Sequence, residues 1–393
     1  MHQTVIHLPL TPLPQPQIKA QDYSADTLHL TSALLTQNPE YYTIWNWRRL
    51  LLLDVFNKEL ASSANEKPNP TPANPTPTSA QQELSLLISE DLAFLLPLLK
   101  QFPKCYWIWN HRSWLLQTAT THLLTATSLQ FWQQELKLVS KMLDLDARNF
   151  HGWGYRREVV GNIEALLQRQ QQKQEQEREQ QPQKPQSQEQ DQPQHPNDPT
   201  TTTLTSSELT YTTTKISANL SNFSAWHYRS QLLPKALKEN LATSGTITTT
   251  STRQQSAKEM LEAEFDLLTR ALYTDPYDQS LWSYHRFLVS VLSSSYSLSS
   301  SADRDSGILT LEPADSKGFL SEQLHMLREL REDAEDCKFV LLALMEVAGV
   351  LNGRDEGVVF VGKAELGEWS RSLRELDPLR EGRWRDMEGK LGV

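Results

Sequence analysis

The stretch Pro103-Lys104-Cys105-Tyr106 holds the residue types in this chain that could take part in chemistry. It follows a break at Phe102-Pro103 and precedes a helical pattern, so Lys104 lies where a helix is predicted to begin. A lysine there opposes the helix dipole, but together with the free amide hydrogens it attracts an anion such as a phosphate. Cys105 is a poor candidate for a nucleophile, because no base is dedicated to it. By itself the pattern suggests only an anion site.

The same region belongs to a repeat in which a tryptophan is followed three residues later by an arginine. A fifth copy carries one extra residue before its arginine. The tryptophans are Trp45, Trp109, Trp153, Trp226 and Trp282, and the arginines that follow them are Arg48, Arg112, Arg156, Arg229 and Arg286. Self-similarity at spacings of tens of residues is typical of a solenoid built from stacked helix pairs.

Each repeated residue has a predicted structural role. The indoles should lock one helix pair against the next, and the arginines, one helical turn later, should fork to carboxylates or carbonyls as clamps between repeats. Asn149, four residues before Trp153, is a predicted helix cap. In the fifth copy the extra residue moves Arg286 off the common face and leaves His285 at the usual arginine spacing.

Apolar residues at helical spacing precede each cluster, and no run alternates as a sheet strand does, which predicts an all-α class. We expect a right-handed superhelix, an α-α solenoid of helical hairpins similar to tetratricopeptide arrays. One repeat domain is predicted over residues 20–391, after a divergent, flexible terminus at 1–19. Low-complexity loops are predicted near 65–79, 168–203, 242–256 and 293–306. Pro97 is predicted to end or kink its helix, and residues 358–361 to form a short extended piece.

Composition limits the possible functions. The net charge is -10 without a basic block, which disfavours a nucleic-acid partner. The two cysteines, Cys105 and Cys337, form no zinc-type pattern and suit a reducing compartment. No apolar stretch has the length of a membrane span, and the first residues do not resemble a signal peptide, so we expect a cytoplasmic protein. Without a complete active-site motif, the chain is interpreted as a binding scaffold or as half of an enzyme.

The clusters together resemble those of protein prenyltransferase alpha subunits, and most closely those of the Rab geranylgeranyltransferases. The resemblance is carried by Asp146-Ala-Arg-Asn-Phe-His-Gly-Trp153, by Asn222-Phe-Ser-Ala-Trp-His-Tyr-Arg229 and by Thr274-Asp-Pro-Tyr-Asp-Gln-Ser-Leu-Trp282. Near the end, Leu373-Arg-Glu-Leu-Asp-Pro-Leu-Arg380 matches the same family. The match covers about residues 20–391, whereas the proline-rich terminus departs from it.

The resemblance implies a heterodimer with a beta subunit that carries the catalytic zinc and the lipid pocket, so no cofactor is expected on this chain. Such a complex transfers geranylgeranyl from geranylgeranyl diphosphate to carboxyl-terminal cysteines of Rab GTPases, which a Rab escort protein presents. Two alternatives are the alpha subunit shared by farnesyltransferase and type I geranylgeranyltransferase, and a non-catalytic tetratricopeptide-like scaffold.

The resemblance also implies site residues. Lys104 corresponds to a lysine that approaches the diphosphate at the subunit junction, and Tyr106 to a residue at the rim of the active site. Asn149, Phe150 and His151 match a neighbouring motif that faces the same junction, although capping and packing explain these residues equally well.

Overall fold

The structure is a computed structural model that describes residues 22–62, 76–179, 203–243, 250–297, 311, 313–353 and 359–393. The helices are α1 (Ala25–Gln37), α2 (Tyr42–Ser62), α3 (Ser79–Gln101), α4 (Tyr106–His122), α5 (Thr125–Leu145), α6 (Phe150–Glu179), α7 (Leu204–Ala218), α8 (Phe223–Thr243), α9 (Thr250–Thr274), α10 (Gln279–Ser297), α11 (Pro313–Asp333), α12 (Lys338–Asn352), α13 (Lys363–Leu376) and α14 (Glu381–Leu391), with a 3-10 turn at Pro378–Arg380 before α14. The described residues contain no strand, and the all-α prediction is confirmed.

The helices form seven consecutive hairpins over the described residues, each with a short turn between its two helices. The chain divides into two compact units at residues 193 and 194. The first unit holds the hairpins α1–α2, α3–α4 and α5–α6, and the second holds the remaining four. Within each unit the hairpins stack in sequence order as an α-solenoid. Each of the five predicted repeats is one hairpin, and two further hairpins follow them.

The repeated tryptophans lie in the core and are at most 7% exposed. Each indole nitrogen donates to the backbone carbonyl six residues earlier, in the turn of its own hairpin. In Trp45, Trp109, Trp153, Trp226 and Trp282 these bonds are 2.7 to 2.9 Å long. Burial alone would leave the indole N–H unsatisfied, so this bond fixes both the depth of the ring and the geometry of the turn.

The same turn carbonyl accepts a second bond from the following hairpin. Asn149 Nδ2 donates to the Pro103 carbonyl at 2.8 Å. Cys105 Sγ contacts the Pro39 carbonyl at 3.4 Å, and Cys337 Sγ contacts the Pro276 carbonyl at 3.1 Å. The residue just before each of these second helices therefore ties its hairpin to the preceding turn.

The predicted arginine clamp is present between the second and third hairpins. The Arg112 guanidinium binds Glu135 in α5 through two bonds of 2.6 and 2.8 Å, and all the groups involved are buried. Its third nitrogen donates to the Leu92 carbonyl in its own hairpin at 3.0 Å. Tyr155 Oη donates to the same Glu135 carboxylate at 3.0 Å. The buried carboxylate is thus held from both neighbouring helices, as a desolvated charge requires.

The clamp recurs in the second compact unit. Arg229 binds Glu264 through two bonds of 2.6 Å, and Tyr284 Oη donates to that carboxylate at 2.6 Å. In the first hairpin Arg48 pairs with Asp91, and His111 replaces the tyrosine at 2.8 Å.

Arg156, in the third hairpin, donates to Ser140 Oγ in its own hairpin at 2.8 Å. Arg48, Arg112 and Arg229 each bind a buried carboxylate of the hairpin that follows their own.

The fifth repeat departs from the pattern, as the sequence predicts. His285 is buried at the arginine position, and burial lowers its pKa to about 4. The polar side chain beside it is Gln323 rather than a carboxylate, and His285 Nε2 and Gln323 Oε1 make no hydrogen bond among the described residues. Arg286 instead reaches the surface and binds Glu346 in α12 at 2.8 Å. Arg286 thus still bridges two hairpins, but at the surface, because it lies off the common face of the repeat arginines.

Helices enter several of the segments that were predicted as loops. Helix α6 continues to Glu179, well into the segment predicted to be disordered from residue 168. Its Gln, Glu, Lys and Arg residues favour helix and extend one that is already anchored by its buried first half. Helix α9 begins at Thr250 and α10 ends at Ser297, so only residues 244–249 and 298–306 of those two predicted loops lie outside the described residues. Residues 1–21, 63–75 and 180–202 also lie outside them.

Two local details differ from the predicted ones. Pro97 does not end its helix, which runs to Gln101, because Leu95, Leu98 and Leu99 around it are buried and keep the backbone packed. Residues 359–361 are not a strand. The Asn352 side chain takes the place of a neighbouring strand: its Oδ1 accepts from Phe360 N at 2.9 Å, and its Nδ2 donates to the Val361 carbonyl at 2.8 Å. Val358 lies outside the described residues.

Candidate functional site

Lys104 lies in the turn between α3 and α4, with its side chain 75% exposed. Its ammonium nitrogen is 3.7 Å from Asp146 Oδ2, in the turn of the next hairpin. An ion pair this long and this exposed contributes little to stability. Lys104 is therefore free to exchange Asp146 for another anion without disturbing the fold.

The start of α4, next to Lys104, lacks the cap that its neighbour has. Cys105 makes no capping hydrogen bond with its side chain. In contrast, Asn149 Oδ1 accepts from the amides of His151 and Gly152 at 3.0 and 3.2 Å. The N-terminal end of α4 thus has no oxygen cap, and only the weakly accepting Cys105 sulfur faces its Trp107 and Ile108 amides. Beside an exposed lysine, this helix end favours an anion.

Cys105 itself is not poised for chemistry. Burial raises the pKa of its thiol to about 11, so the thiol is protonated at neutral pH and is a weak nucleophile. Its sulfur contacts the Pro39 carbonyl instead. The sequence-based judgement against a nucleophilic Cys105 agrees with this geometry.

A row of aromatic side chains runs beside Lys104 at the N-terminal ends of α2, α4 and α6. Neighbouring ring centroids are 5.7, 5.2, 6.2 and 4.0 Å apart along the series, which joins the three hairpins of the first compact unit. We call this set the aromatic row; its members are, in order, Tyr42, Trp107, Tyr106, His151 and Phe150. Tyr42, Tyr106 and Phe150 are 55, 51 and 68% exposed. Contiguous exposed rings of this kind usually mark an interaction surface.

The predicted residues do not all lie on this surface. Tyr106, Phe150 and His151 belong to it, and Lys104 adjoins Tyr106 in sequence. Asn149 is only 3% exposed, and its side chain is occupied by the α6 cap and by the Pro103 carbonyl. The geometry therefore gives Asn149 a structural role within the fold.

A groove between α4 and α6 continues from the aromatic row. Tyr106, Asn110 and Ser113 line one side, and His151 and Glu158 line the other. The Ser113 hydroxyl and the Glu158 carboxylate form a short hydrogen bond across it. Burial lowers the pKa of His151, so the imidazole is neutral at pH 7 and adds no charge to the surface. The groove can accept apolar or aromatic groups and offers a few polar contacts.

Sequence reasoning missed several members of this site. Asp146 is the acidic neighbour of Lys104, and Tyr42 and Trp107 extend the aromatic row. A signal for Tyr42 was present, because Tyr106, Phe150 and Phe223 occupy the same position at the start of their own second helices. Aromatic residues at an exposed, recurring position are not needed for the core.

Among the described residues there is no cluster of histidine, cysteine and acidic side chains that could hold a metal ion. None of the helices in those residues is both long and apolar enough to cross a membrane.

The repeats match the model of a known family, the protein prenyltransferase alpha subunit repeat, at residues 24–54, 88–119, 132–163, 205–236 and 261–292. Curated relatives named geranylgeranyl transferase type-2 subunit alpha are similar to most of the chain. The protein from Candida albicans is 30% identical over 383 residues, 93% of this chain and 86% of its own length. The one from Schizosaccharomyces pombe is 30% identical over 377 residues, with 95% and 87% covered.

Other relatives are longer than this chain. The Homo sapiens protein of the same name is 29% identical over 271 residues, which are 69% of this chain and 35% of that protein. A solved structure with the same fold is the Candida albicans protein geranylgeranyltransferase-I complexed with GGPP, at a TM-score of 0.51 and 16% identity. The matched region covers 95% of this chain and 87% of the chain in that structure.

Proposed function

Because the chain belongs to the protein prenyltransferase alpha subunits, and among them to the geranylgeranyl transferase type-2 alpha subunits, we propose that it is half of a Rab geranylgeranyltransferase. Its partner is a beta subunit, and the complex works in the cytoplasm. The complex transfers geranylgeranyl from geranylgeranyl diphosphate to the carboxyl-terminal cysteines of Rab GTPases presented by a Rab escort protein. The catalytic zinc belongs to the beta subunit, where it would activate the acceptor thiol by lowering its pKa.

The observation that carries the site assignment is the pairing of an exposed Lys104 with the uncapped start of α4. Loss of the diphosphate in prenyl transfer builds up negative charge on the leaving group. Lys104 and the α4 amides would stabilise that charge most strongly where the beta subunit excludes water. Tyr106, one helix position from the cap, forms the rim of this site.

We also propose that the beta subunit binds this chain at the aromatic row. Three of its rings, Tyr42, Tyr106 and Phe150, are exposed in this chain by itself, and the row spans three hairpins. A partner that covers the row would bury large rings and also close off the lysine from water. Phe150 and His151 then contact the beta subunit, and Asn149 contributes by holding the start of α6.

The alternatives fit less well. The curated relatives carry the type-2 name, which differs from that of the subunit shared by farnesyltransferase and type I geranylgeranyltransferase. A non-catalytic scaffold explains the hairpins but gives no reason for a lysine beside an uncapped helix.

The decisive experiment is to express this chain with tagged candidate beta subunits, to identify the one that copurifies, and to assay that complex. The substrate is a Rab GTPase ending in two cysteines, with its escort protein and labelled geranylgeranyl diphosphate. We expect pairing with a type-2 beta subunit and transfer to the Rab. Pairing only with a farnesyltransferase beta subunit would favour the alternative.

The chain by itself should be inactive, because the proposed zinc and lipid sites belong to the partner. The same assay without the beta subunit tests this. Transfer of geranylgeranyl by the purified chain alone would contradict the division of labour.

A further inference from the structure

Tyr106 is held in place by a hydrogen-bond chain that begins in the core. Its hydroxyl accepts a bond of 3.2 Å from Asn110 Nδ2, one turn further along α4. Tyr106 is half exposed, and an exposed ring keeps several rotamers unless a polar partner selects one. Asn110 is that partner.

The orientation of the Asn110 amide depends in turn on Arg49 of the preceding hairpin. Arg49 Nη2 donates to Asn110 Oδ1 at 2.7 Å, a charge-assisted bond. Because a guanidinium can only donate, the amide oxygen must face Arg49, and the amide nitrogen must then face Tyr106. Without Arg49 the amide could turn over and lose the bond to the tyrosine.

Arg49 is fixed on two further sides. Its guanidinium lies over the Trp114 ring at 5.5 Å, and its Nε donates to His111 Nδ1 at 3.3 Å. Burial lowers the pKa of Arg49, but from so high a starting value that the group stays charged. These contacts hold the guanidinium in a single position.

His111 connects this series of hydrogen bonds to the arginine clamp between the first two hairpins. Since Nδ1 accepts from Arg49, the imidazole proton is on Nε2, which donates to Asp91 Oδ2 at 2.8 Å. Asp91 is the same carboxylate that binds Arg48. The position of Tyr106 is therefore set by the packing of the first hairpin on the second.

The repeat fold does not require this series of hydrogen bonds from Arg49 through Asn110 to Tyr106. In the next pair of hairpins, Ser113 and Gly154 stand at the positions of Arg49 and Asn110, and Ser113 bonds to Glu158 instead. In the fifth repeat Arg286 has the position of Arg49, but it binds Glu346 at the surface. Arg49 and Asn110 thus meet beside Lys104 and Tyr106, where the proposed chemistry needs them.

We infer that Arg49 and Asn110 are positioning residues, which hold the Tyr106 hydroxyl in place at the rim of the prenyl-transfer site. This inference rests on the proposed function. Neither residue touches the proposed diphosphate site, so each acts through Tyr106. Removal of either should have the same effect as removal of the tyrosine hydroxyl.

The test is a double-mutant cycle in the purified heterodimer. Asn110→Ala, Tyr106→Phe and the double variant are compared in the single-turnover rate of geranylgeranyl transfer. We expect each single change to lower the rate about fivefold, and the double variant to be no slower than either single variant, because all three lose the same bond. A merely structural role for Asn110 would instead multiply the two losses.

Arg49→Gln extends the test across the hairpins, with Arg286→Gln as the matched control at the same repeat position. Arg49→Gln should slow transfer to the level of Asn110→Ala, while Arg286→Gln keeps the rate of the unmodified chain. Copurification with the beta subunit shows that each variant is folded, and Asn110→Ala remains decisive if Arg49→Gln does not fold.

The outcomes separate the two proposals. If Tyr106→Phe slows transfer but Asn110→Ala and Arg49→Gln do not, the positioning chain is wrong and the site stands. If Tyr106→Phe has no effect, the role of Tyr106 is wrong, and with it the positioning chain. If no beta subunit yields an active complex, the proposed function itself is overturned.

Discussion

Lys104 is the residue on which the proposed chemistry depends most directly. Its ammonium group is exposed, its link to Asp146 is long, and the helix that begins beside it has no side-chain cap. In a lysine with a purely structural role, each of these features would cost a little folding stability. Together they leave a positive site ready for an anion that the chain itself does not supply.

We predict that Lys104→Ala lowers the single-turnover rate of geranylgeranyl transfer by at least about tenfold, because a charge that stabilises the leaving diphosphate is lost. Lys100→Ala, which removes an exposed charge from the last turn of α3, is the matched control. Both variants should still copurify with the beta subunit. His151→Ala should cause a smaller defect. An unchanged rate in Lys104→Ala would remove the lysine from the mechanism.

The proposed site could be predicted from the sequence only where its residues are neighbours in the chain. Lys104 and Tyr106 stand together in one motif, and so do Phe150 and His151. The hydrogen bond from Arg49 to Asn110 joins two hairpins whose residues are 61 positions apart in the sequence. No local pattern marks such a pair, because it depends on how the hairpins pack.

At the scale of helices and hairpins, the tryptophans and the shared turn carbonyls define the repeat. The indole binds a carbonyl in the turn of its own hairpin. In the next hairpin, the residue just before the second helix binds the same carbonyl. This explains why cysteine can replace asparagine at residues 105 and 337. A thiol can still donate to the carbonyl, although it caps the helix less well.

We predict that Trp153→Ala lowers the free energy of unfolding by about 3 to 5 kcal/mol, as expected for an aromatic ring removed from a core. The loss includes the bond to the Ala147 carbonyl. Urea denaturation followed by circular dichroism measures the change. A midpoint equal to that of the unmodified chain would contradict the role of the indole as an anchor.

The neighbouring His285 and Gln323 side chains, which stand at the clamp position of the fifth repeat, give a second prediction at this scale. His285→Arg alone should destabilise the chain by about 3 kcal/mol or more, because it buries a guanidinium without a carboxylate. Adding Gln323→Glu should recover most of that loss by rebuilding the pair seen in Arg229 and Glu264. Urea midpoints of the single and double variants provide the measurement. A double variant no more stable than His285→Arg would show that the two positions do not pair.

The carboxylate partners of the clamp had a signal in the sequence that is clear only in retrospect. Asp91, Glu135 and Glu264 each lie 20 residues before the histidine or tyrosine that shares them. Counting back from a tryptophan cluster therefore identifies the acid on the preceding helix. The sixth and seventh hairpins carry no copy of the tryptophan cluster, because Leu341 stands where a tryptophan is expected and Trp384 follows a 3-10 turn.

At the scale of the whole molecule, the stability of the chain should depend on pH through its buried histidines. Burial lowers the pKa of His285 to about 4 and also lowers that of His111. In the unfolded chain the pKa of a histidine is near 6.5. Each unit by which the folded pKa differs from this value corresponds to about 1.4 kcal/mol of stability. Between these two values the unfolded chain binds more protons than the folded one.

We therefore predict that the free energy of unfolding is constant between about pH 6.5 and 8 and falls as the pH is lowered towards 4. His285 should account for about 3 kcal/mol of the loss, and His111 adds to it in the same direction. Urea denaturation at pH 7.0, 5.5 and 4.5 tests this. In His285→Gln the slope should be shallower. A stability that rises with acidity would contradict the neutral state of both imidazoles in the fold.

The two ends of a hairpin differ in the segments that they carry. The turns inside the hairpins are short, and they carry Lys104 and the shared carbonyls. The low-complexity segments near 65–79, 180–202, 244–249 and 298–306 all connect one hairpin to the next. Since the helices of a hairpin are antiparallel, a segment of this kind joins its hairpin at the end away from that turn. The chain can thus lengthen or shorten during evolution, or accept a grafted reporter peptide, without altering the edge that carries the proposed site.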